Sequence, residues 1–257
     1  MDLGIARRRA IVCGSTRGLG RACAESLARE GVDLVVNGRT GAQQAAAELA
    51  TEFNVSAIGV DADINTEQGR ELLLGAWPTP DILVNNNAGP SPSVFVDTTA
   101  QAWQDALAAN MLAPLHLIQA VLPGMRERRF GRIVNITSAM VTTPNALMTP
   151  SVAARAGLTG VTKAVAGDVA ADNVTINNLL PERINTGRQR QMADFAVATR
   201  GITLEEAYAE IAATIAAGRL GRPEELGDAC AYLCSVQAGY ISGQNLHVDG
   251  GSYRGLI

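Results

Sequence analysis

A chain of 257 residues, 47% of them apolar, can bury one large core, and at this length a single domain spanning residues 1–257 is expected. A formal charge of −4 and only 4% aromatic residues argue against nucleic acid or an anionic membrane as partner. The basic triplet Arg7-Arg8-Arg9 precedes too short an apolar run for a secretory signal, and no apolar run approaches the ~20 residues of a membrane helix, so a cytoplasmic location is expected.

Short apolar runs alternate with longer helical patterns along the whole chain. Strands are predicted at 9–13, 34–37, 57–61, 82–85, 132–136, 175–180 and 245–248. Between them lie helical patterns at 19–30, 42–53, 67–75, 100–125, 151–171 and 224–235. The strand runs are almost continuously apolar, as expected of strands covered on both faces. The alternation therefore predicts βαβ units: an α/β fold, a doubly wound parallel sheet of about seven strands. One irregular insert, 183–222, follows the sixth strand and carries an amphipathic stretch at 204–217. Placed after a strand's carboxyl end it overhangs the ligand crevice, as a substrate lid or as an oligomer contact.

Gly14-Ser15-Thr16-Arg17-Gly18-Leu19-Gly20 follows the first strand and opens the first helix. Glycine lets the backbone turn tightly and approach a pyrophosphate, which then sits on the helix N-terminus. This setting implies a dinucleotide. Asp33 lies 19 residues after Gly14, near the spacing of a ribose-binding acid, but it precedes the second strand and so stands at the wrong end. That strand runs into Asn37-Gly38-Arg39, with no carboxylate to repel a 2′-phosphate. Arg39 and Arg17 together can clamp one, so NADP(H) is expected in preference to NAD(H). Cys13, Cys23, Cys230 and Cys234 form no Cys-x-x-Cys and are read as buried small hydrophobes; with only His116 and His247 besides, no metal site is expected.

Several further motifs accompany the Gly14-x-x-x-Gly18-x-Gly20 loop: Asp63-Ile64, Asn85-Asn86-Asn87-Ala88-Gly89, Asn110, Ser138, Pro181 with Thr186, and Val248-Asp249-Gly250-Gly251. On these the chain resembles the short-chain dehydrogenase/reductase family, notably its 3-oxoacyl-carrier-protein-reductase-like members, over nearly its whole length. The resemblance implies a Rossmann-type domain that works as a homodimer or homotetramer built through two long helices. It assigns cofactor contacts to Gly14, Ser15, Arg17, Gly18, Leu19, Gly20, Arg39, Asp63, Ile64, Asn86, Ala88, Gly89, Ile184 and Thr186, with Asp63-Ile64 at the adenine. The asparagine loop holds one asparagine more than the family's.

The same resemblance implies an Asn–Ser–Tyr–Lys catalytic set. Asn110 and Ser138 match it. Pro114 lacks the N–H that Asn110's carbonyl would otherwise bond, freeing that carbonyl for a relay water; a packing kink accounts for the proline equally well. Thirteen residues beyond Ser138, where the family has tyrosine, stands Ser151, and where it has lysine stands Arg155. Lys163 falls eight residues too far to replace it, and Glu182 replaces the glycine that usually follows Pro181.

Carbonyl reduction creates an alkoxide that needs a proton donor. A phenol has a pKa near 10, whereas an aliphatic alcohol is weaker by several units at ~1.4 kcal/mol each, and arginine stays protonated. Three readings remain. Ser138 and a water beside Arg155 protonate the alkoxide slowly; Tyr208 enters from the lid; or the chain binds NADP(H) without turnover. Halohydrin dehalogenases carry arginine at the lysine position but keep the tyrosine and lose the glycine loop, the opposite of this pattern. The expected activity is an atypical NADP(H)-dependent reductase acting on a small carbonyl or alcohol, with Asn110, Ser138, Ser151 and Arg155 at the site. The alternative is a non-catalytic NADP(H)-binding member of the family.

Overall fold

A computed structural model describes residues 1–256. Its strands are β1 (Arg9–Val12), β2 (Asp33–Gly38), β3 (Ala57–Asp61), β4 (Ile82–Asn85), β5 (Gly131–Ile136), β6 (Val174–Pro181) and β7 (Asn245–Val248). All pair in parallel, in the order β3-β2-β1-β4-β5-β6-β7. The helices are α1 (Gly18–Arg29), α2 (Ala42–Phe53), α3 (Glu67–Ala76), α4 (Ala100–Leu107), α5 (Ala113–Glu127), α6 (Thr149–Val169), α7 (Gly187–Arg200), α8 (Leu204–Ala213) and α9 (Pro223–Cys234).

Successive strand residues point to opposite faces, so the apolar runs feed two cores. Val12, Leu34, Val36 and Val134 pack on one face with residues of α1, α2 and α9. Ile11, Val35, Leu83, Ile133 and Ile176 pack on the other with residues of α5 and α6. This explains strands that read as nearly unbroken apolar sequence. All four cysteines are buried thiols within or beside these cores, and burial pushes Cys13 up to about 12. They behave as the small hydrophobes expected.

Three departures from the sequence reading matter for the site. First, the long helix predicted at 100–125 runs over Ala100–Glu127 but is broken by a π turn at Ala108–Leu112. Its composition and length would suit a membrane crossing; here Leu117, Ile118, Val121 and Met125 turn into the core. Second, β2 begins at Asp33, one residue earlier than predicted. Asp33 still stands at the amino end, where its carboxylate accepts from the Ser56 N–H at 2.9 Å. Third, the insert holds two helices rather than one. α8 is shorter than the predicted stretch and starts at a Thr203/Glu206 capping box, while α7 was not predicted because its polar sequence buries only Gln189 and Ala193.

One row of polar contacts crosses the sheet inside the second core. Asn85, Asn135, Asn178 and Asn245 sit opposite one another on β4, β5, β6 and β7. Asn85 Nδ2 donates to Asn135 Oδ1 at 2.9 Å, Asn135 Nδ2 to Asn178 Oδ1 at 2.9 Å, and Asn178 Nδ2 to Asn245 Oδ1 at 2.8 Å. The first three are buried, and only Asn245 reaches solvent. Removing Asn135 strands the Asn85 Nδ2 donor and leaves Asn178 Oδ1 with only the long contact from Thr162 Oγ1 at 3.5 Å, at about 1–3 kcal/mol each. Asn135→Ala is therefore expected to lower unfolding free energy by about 2–5 kcal/mol in urea titrations, and Asn245→Ala by less than about 1 kcal/mol. Equal losses at the two positions would contradict a cooperative row.

Candidate active site and cofactor crevice

The loops that leave the carboxyl ends of β1, β2, β4, β5 and β6 converge on one crevice. After β1, Gly14 and Gly18 adopt φ values of +57° and +62°, the left-handed region that favours glycine. Gly20 is glycine for a different reason: a Cβ there would stand 2.3 Å from the Gly14 carbonyl oxygen and 2.8 Å from Asn86 Nδ2. A Cβ on Gly18 would meet no other part of the protein within 4 Å, so the loop's open side faces outward at the N-terminus of α1. The first N–H groups of a helix have no partner inside it, and these are free for a phosphate. Leu19 packs its side chain against the core below, so only its backbone faces the opening.

Ser15, expected at the cofactor, holds the glycine loop from within. It is fully buried; its hydroxyl donates to Val12 O at 2.6 Å and accepts from Asn37 N at 3.0 Å. Its backbone N–H donates to Asn37 O at 2.7 Å. Asn37, which the sequence did not single out, completes the brace: its Oδ1 accepts from Gly14 N at 3.3 Å, and its Nδ2 donates to Ala62 O at 3.1 Å. Ser15 and Asn37 thus hold the loop's shape from beneath.

A Cβ on Gly38 would lie 2.6 Å from Thr16 Cγ2, so the end of β2 touches the glycine loop. That contact brings the exposed Arg17 and Arg39 onto adjoining loops, and among the described residues neither has a hydrogen-bond or ion-pair partner. Arg21, one turn further along, is instead engaged by Glu25 and Glu48. Beyond β3, Asp63 accepts from Asn65 N at 3.0 Å, which orders the turn it sits in. Ile64, expected at the adenine, is 5% exposed, its side chain within the core cluster that includes Ile11 and Leu73, so its backbone is what the crevice can use.

Beyond β4, three consecutive asparagines do three different things, which accounts for the extra residue. Asn85 belongs to the amide row. Asn86 Nδ2 donates to Gly14 O at 3.2 Å and braces the glycine loop. Asn87 Nδ2 donates to Asn65 Oδ1 at 2.8 Å and to Ala109 O at 3.0 Å. Ala88 and Gly89 follow at the crevice, where the Ala88 carbonyl accepts from Asn110 Nδ2 at 3.3 Å.

Asn110 sits inside the π turn, a helical irregularity found disproportionately at functional sites. It is 3% exposed, and its Oδ1 has no protein partner. Ser138 stands just past β5 and accepts from Met140 N at 3.2 Å, which leaves its own proton uncommitted. Ser151 is buried near the start of α6, and Arg155 lies one turn beyond it. Arg155 Nε donates to Ser151 Oγ at 3.1 Å, while Nη1 donates to Ile136 O at 3.2 Å and Thr137 O at 3.1 Å. One guanidinium therefore ties Ser151 to the strand end beside Ser138. Burial, and then repulsion from Arg188, pushes Arg155 down to about 10, still cationic at neutral pH. Lys163 donates to Gly243 O at 2.9 Å, away from this group.

Beyond β6, Arg183 holds φ at +52°, strained for a long side chain at a strand's carboxyl end. Ile184, expected at the cofactor, is 5% exposed and bridges Gly221, so its side chain packs inward. Thr186 precedes α7 without a side-chain capping bond, so its hydroxyl remains available. Glu182 lines a separate cavity of about 250 Å³ with Ile215, Arg219 and His247. Tyr208 lies on the insert near Arg190, whose pKa is raised chiefly by its hydrogen bond to Asp194 and that carboxylate's charge; no contact joins Tyr208 to Ser151 or Arg155 among the described residues.

Residues 14–253 match the model of a family described as Enoyl-(Acyl carrier protein) reductase. The chain is 35% identical over 246 residues to the 3-oxoacyl-[acyl-carrier-protein] reductase FabG of Haemophilus influenzae, covering 95% of this chain and 97% of that protein. Among solved structures it is similar to L-sorbose reductase from Gluconobacter frateurii complexed with NADPH and L-sorbose. That likeness has a TM-score of 0.95 and 29% identity over 100% of both chains. It is also similar to YwfH, an NADPH dependent reductase involved in bacilysin biosynthesis, with a TM-score of 0.91 and 27% identity over 98% of this chain and 100% of that one.

The two kinds of glycine separate experimentally. Gly20→Ala forces a Cβ into backbone and is expected to cost about 1–3 kcal/mol of stability, lowering the melting temperature. Gly18→Ala meets no neighbour and costs only about 1 kcal/mol of backbone strain, but fills the space a pyrophosphate needs. It should cut NADPH affinity at least about tenfold, as read by fluorescence titration. Unchanged affinity in Gly18→Ala would remove the cofactor from this loop.

Proposed function

The chain belongs to the short-chain dehydrogenase/reductase family, and from that premise we propose that it is an NADP(H)-dependent oxidoreductase interconverting a carbonyl and an alcohol, with Ser151 and Arg155 in the positions of the family's tyrosine and lysine. The observation that carries this reading is the Arg155 bridge from Ser151 Oγ to the end of β5. The dinucleotide fits on separate grounds: the open face of Gly18, the unpartnered amides of α1, and the free guanidinium groups of Arg17 and Arg39. When bound, its dihydronicotinamide supplies the hydride.

Both serine hydroxyls accept a hydrogen bond from the protein, so both protons are free to point at a carbonyl oxygen. As the carbonyl carbon takes the hydride, its oxygen takes the Ser151 proton. The resulting serine oxyanion rests against Arg155 until water returns a proton. A charge-assisted hydrogen bond contributes about 1.5–3 kcal/mol, equivalent to roughly one or two pKa units, against a deficit of several units relative to a phenol. Turnover is therefore slower than with tyrosine. Asn110 supports a water beside this pair through its unpartnered Oδ1. The insert at 183–222 closes over the substrate, and the protein works in the cytoplasm as a dimer or tetramer.

A second reading, dinucleotide binding without turnover, is favoured by one observation: no phenol touches Ser138, Ser151 or Arg155 among the described residues. The double variant Ser151→Tyr/Arg155→Lys separates the two. Under the reductase reading it raises NADPH oxidation with simple ketones; no gain in a folded, NADPH-binding protein counts against that reading. Cofactor choice has its own test. Arg17→Ala and Arg39→Ala should each weaken NADPH by about tenfold while leaving NADH within about twofold. Equal losses for both nucleotides would dismiss the phosphate clamp.

A further inference from the structure

We propose that His247, on β7, is a positioning residue for Ser138: the hydrogen it donates to Thr142 pins the far end of the turn that carries the Ser138 hydroxyl. The proposal rests on the reductase reading and adds to it a residue outside the crevice that sets the geometry of reduction.

Ser138 leads into a single short turn, Ala139–Val141, whose bonds are almost all local. Ser138 Oγ accepts from Met140 N at 3.2 Å, and Ser138 O accepts from Val141 N at 3.0 Å. The Ala139 carbonyl accepts from Thr142 N at 3.1 Å and Thr143 N at 3.0 Å, and from the Thr142 and Thr143 hydroxyls at 3.0 and 2.9 Å. Such bonds fix the shape of the turn but not its seat against the sheet. Contacts from outside do that. At the near end, Arg155 holds the Ile136 and Thr137 carbonyls. At the far end, His247 Nε2 stands 3.3 Å from Thr142 Oγ1. Among the described residues no other hydrogen bond reaches residues 138–143 from elsewhere in the chain. Ser138 lies between the two pins.

The direction of the far bond follows from counting protons. Thr142 has one hydroxyl hydrogen and gives it to Ala139 O, so its oxygen accepts and a ring hydrogen stands on Nε2. The ring has little freedom of its own. It stacks on Tyr253 with centroids 4.2 Å apart and planes within 9° of parallel. Tyr253 is held in turn: Asp249 Oδ2 accepts its N–H at 2.8 Å, while Oδ1 accepts from Gly251 N at 2.9 Å. Asp249 Oδ2 also stands 3.5 Å from His247 Nδ1, without forming a hydrogen bond to it. The motif Val248-Asp249-Gly250-Gly251 makes no hydrogen bond to the glycine loop or the serine pair among the described residues. Through Tyr253 and His247 it steadies the Ser138 turn instead. A displacement of about 1 Å in a reacting group can cost about a hundredfold in rate, so even a loosened turn is felt in kcat.

The chain has only two histidines, which makes the ring readable by nitrogen NMR of the whole protein, with His116→Gln to assign the signals. His247 should carry a hydrogen on Nε2; a ring with its hydrogen on Nδ1 alone overturns the bond. His247→Phe keeps the stack on Tyr253 and loses the donor, whereas His247→Gln sets an amide N–H about where Nε2 stands. In His247→Phe the amide hydrogens of residues 140–143 should exchange at least about fivefold faster. Its kcat for NADPH-dependent reduction of ethyl acetoacetate or cyclohexanone should fall at least about fivefold, with KM and NADPH affinity within about twofold. His247→Gln should recover both losses. Should His247→Phe not fold, Thr142→Val removes the same bond from the other side and should give the same two losses. Unchanged exchange and kcat, or equal losses in His247→Phe and His247→Gln, overturn the proposal. Faster exchange with unchanged kcat also overturns it, because the turn then moves without consequence for Ser138. If the unaltered chain reduces no ketone, the reductase reading falls, and the ring hydrogen and exchange rates still decide whether His247 pins the turn.

Discussion

A chain of side-chain amides, one from each of four neighbouring strands, fixes where the functional loops begin. The apolar strands of a doubly wound sheet could slide against each other with little loss of hydrophobic burial, since nearly every residue is apolar on both faces. Asn85, Asn135, Asn178 and Asn245 remove that freedom, because each hydrogen bond is made only in one register. The residues that follow leave the sheet at heights set by this row. Asn86 meets the glycine loop one residue after Asn85, and Ser138 emerges three residues after Asn135. The polar row costs desolvation and returns alignment of the loops that follow β4, β5 and β6.

The site built on that edge is braced by neutral amides and hydroxyls on the cofactor side and by one cation on the catalytic side. Ser15, Asn37 and Asn86 hold the glycine loop without exposing charge to it, which leaves Arg17 and Arg39 as the charged groups there. On the other side, Arg155 has taken over a structural task, joining α6 to the end of β5 through three hydrogen bonds. A lysine, with one nitrogen and three donors on a flexible stem, does not span Ser151 and two carbonyls in the same planar fork. The arginine is thus a change of architecture as well as of chemistry.

Much of this was legible in the sequence. α2, β3, β4 and β7 fall where the hydrophobic periodicity puts them, and Asp33 stands at the end of β2 that its place before the apolar run implied. What could not be read shares a physical cause. α7 lacks an apolar stripe, so no period announces it, and a π turn leaves no repeat at all beyond the hint of Pro114. The burial of Ile64 and Ile184 was not legible either, because position along a motif does not say which way a side chain points, and both side chains point into the protein. Ser15 and Asn37 were opaque for the converse reason. Their work is pairwise, and neither residue alone signals that the other completes it.

The fixed protonation of Arg155 carries a consequence for how this protein responds to acidity. The groups proposed to face the carbonyl are two aliphatic hydroxyls and one guanidinium, and none changes its resting charge between about pH 5 and 8. An ordinary reductase of this type has a phenol and an amine whose ionisation writes itself into the rate. Under the proposed reduction, these three groups therefore add no bend of their own to a plot of rate against pH in that range.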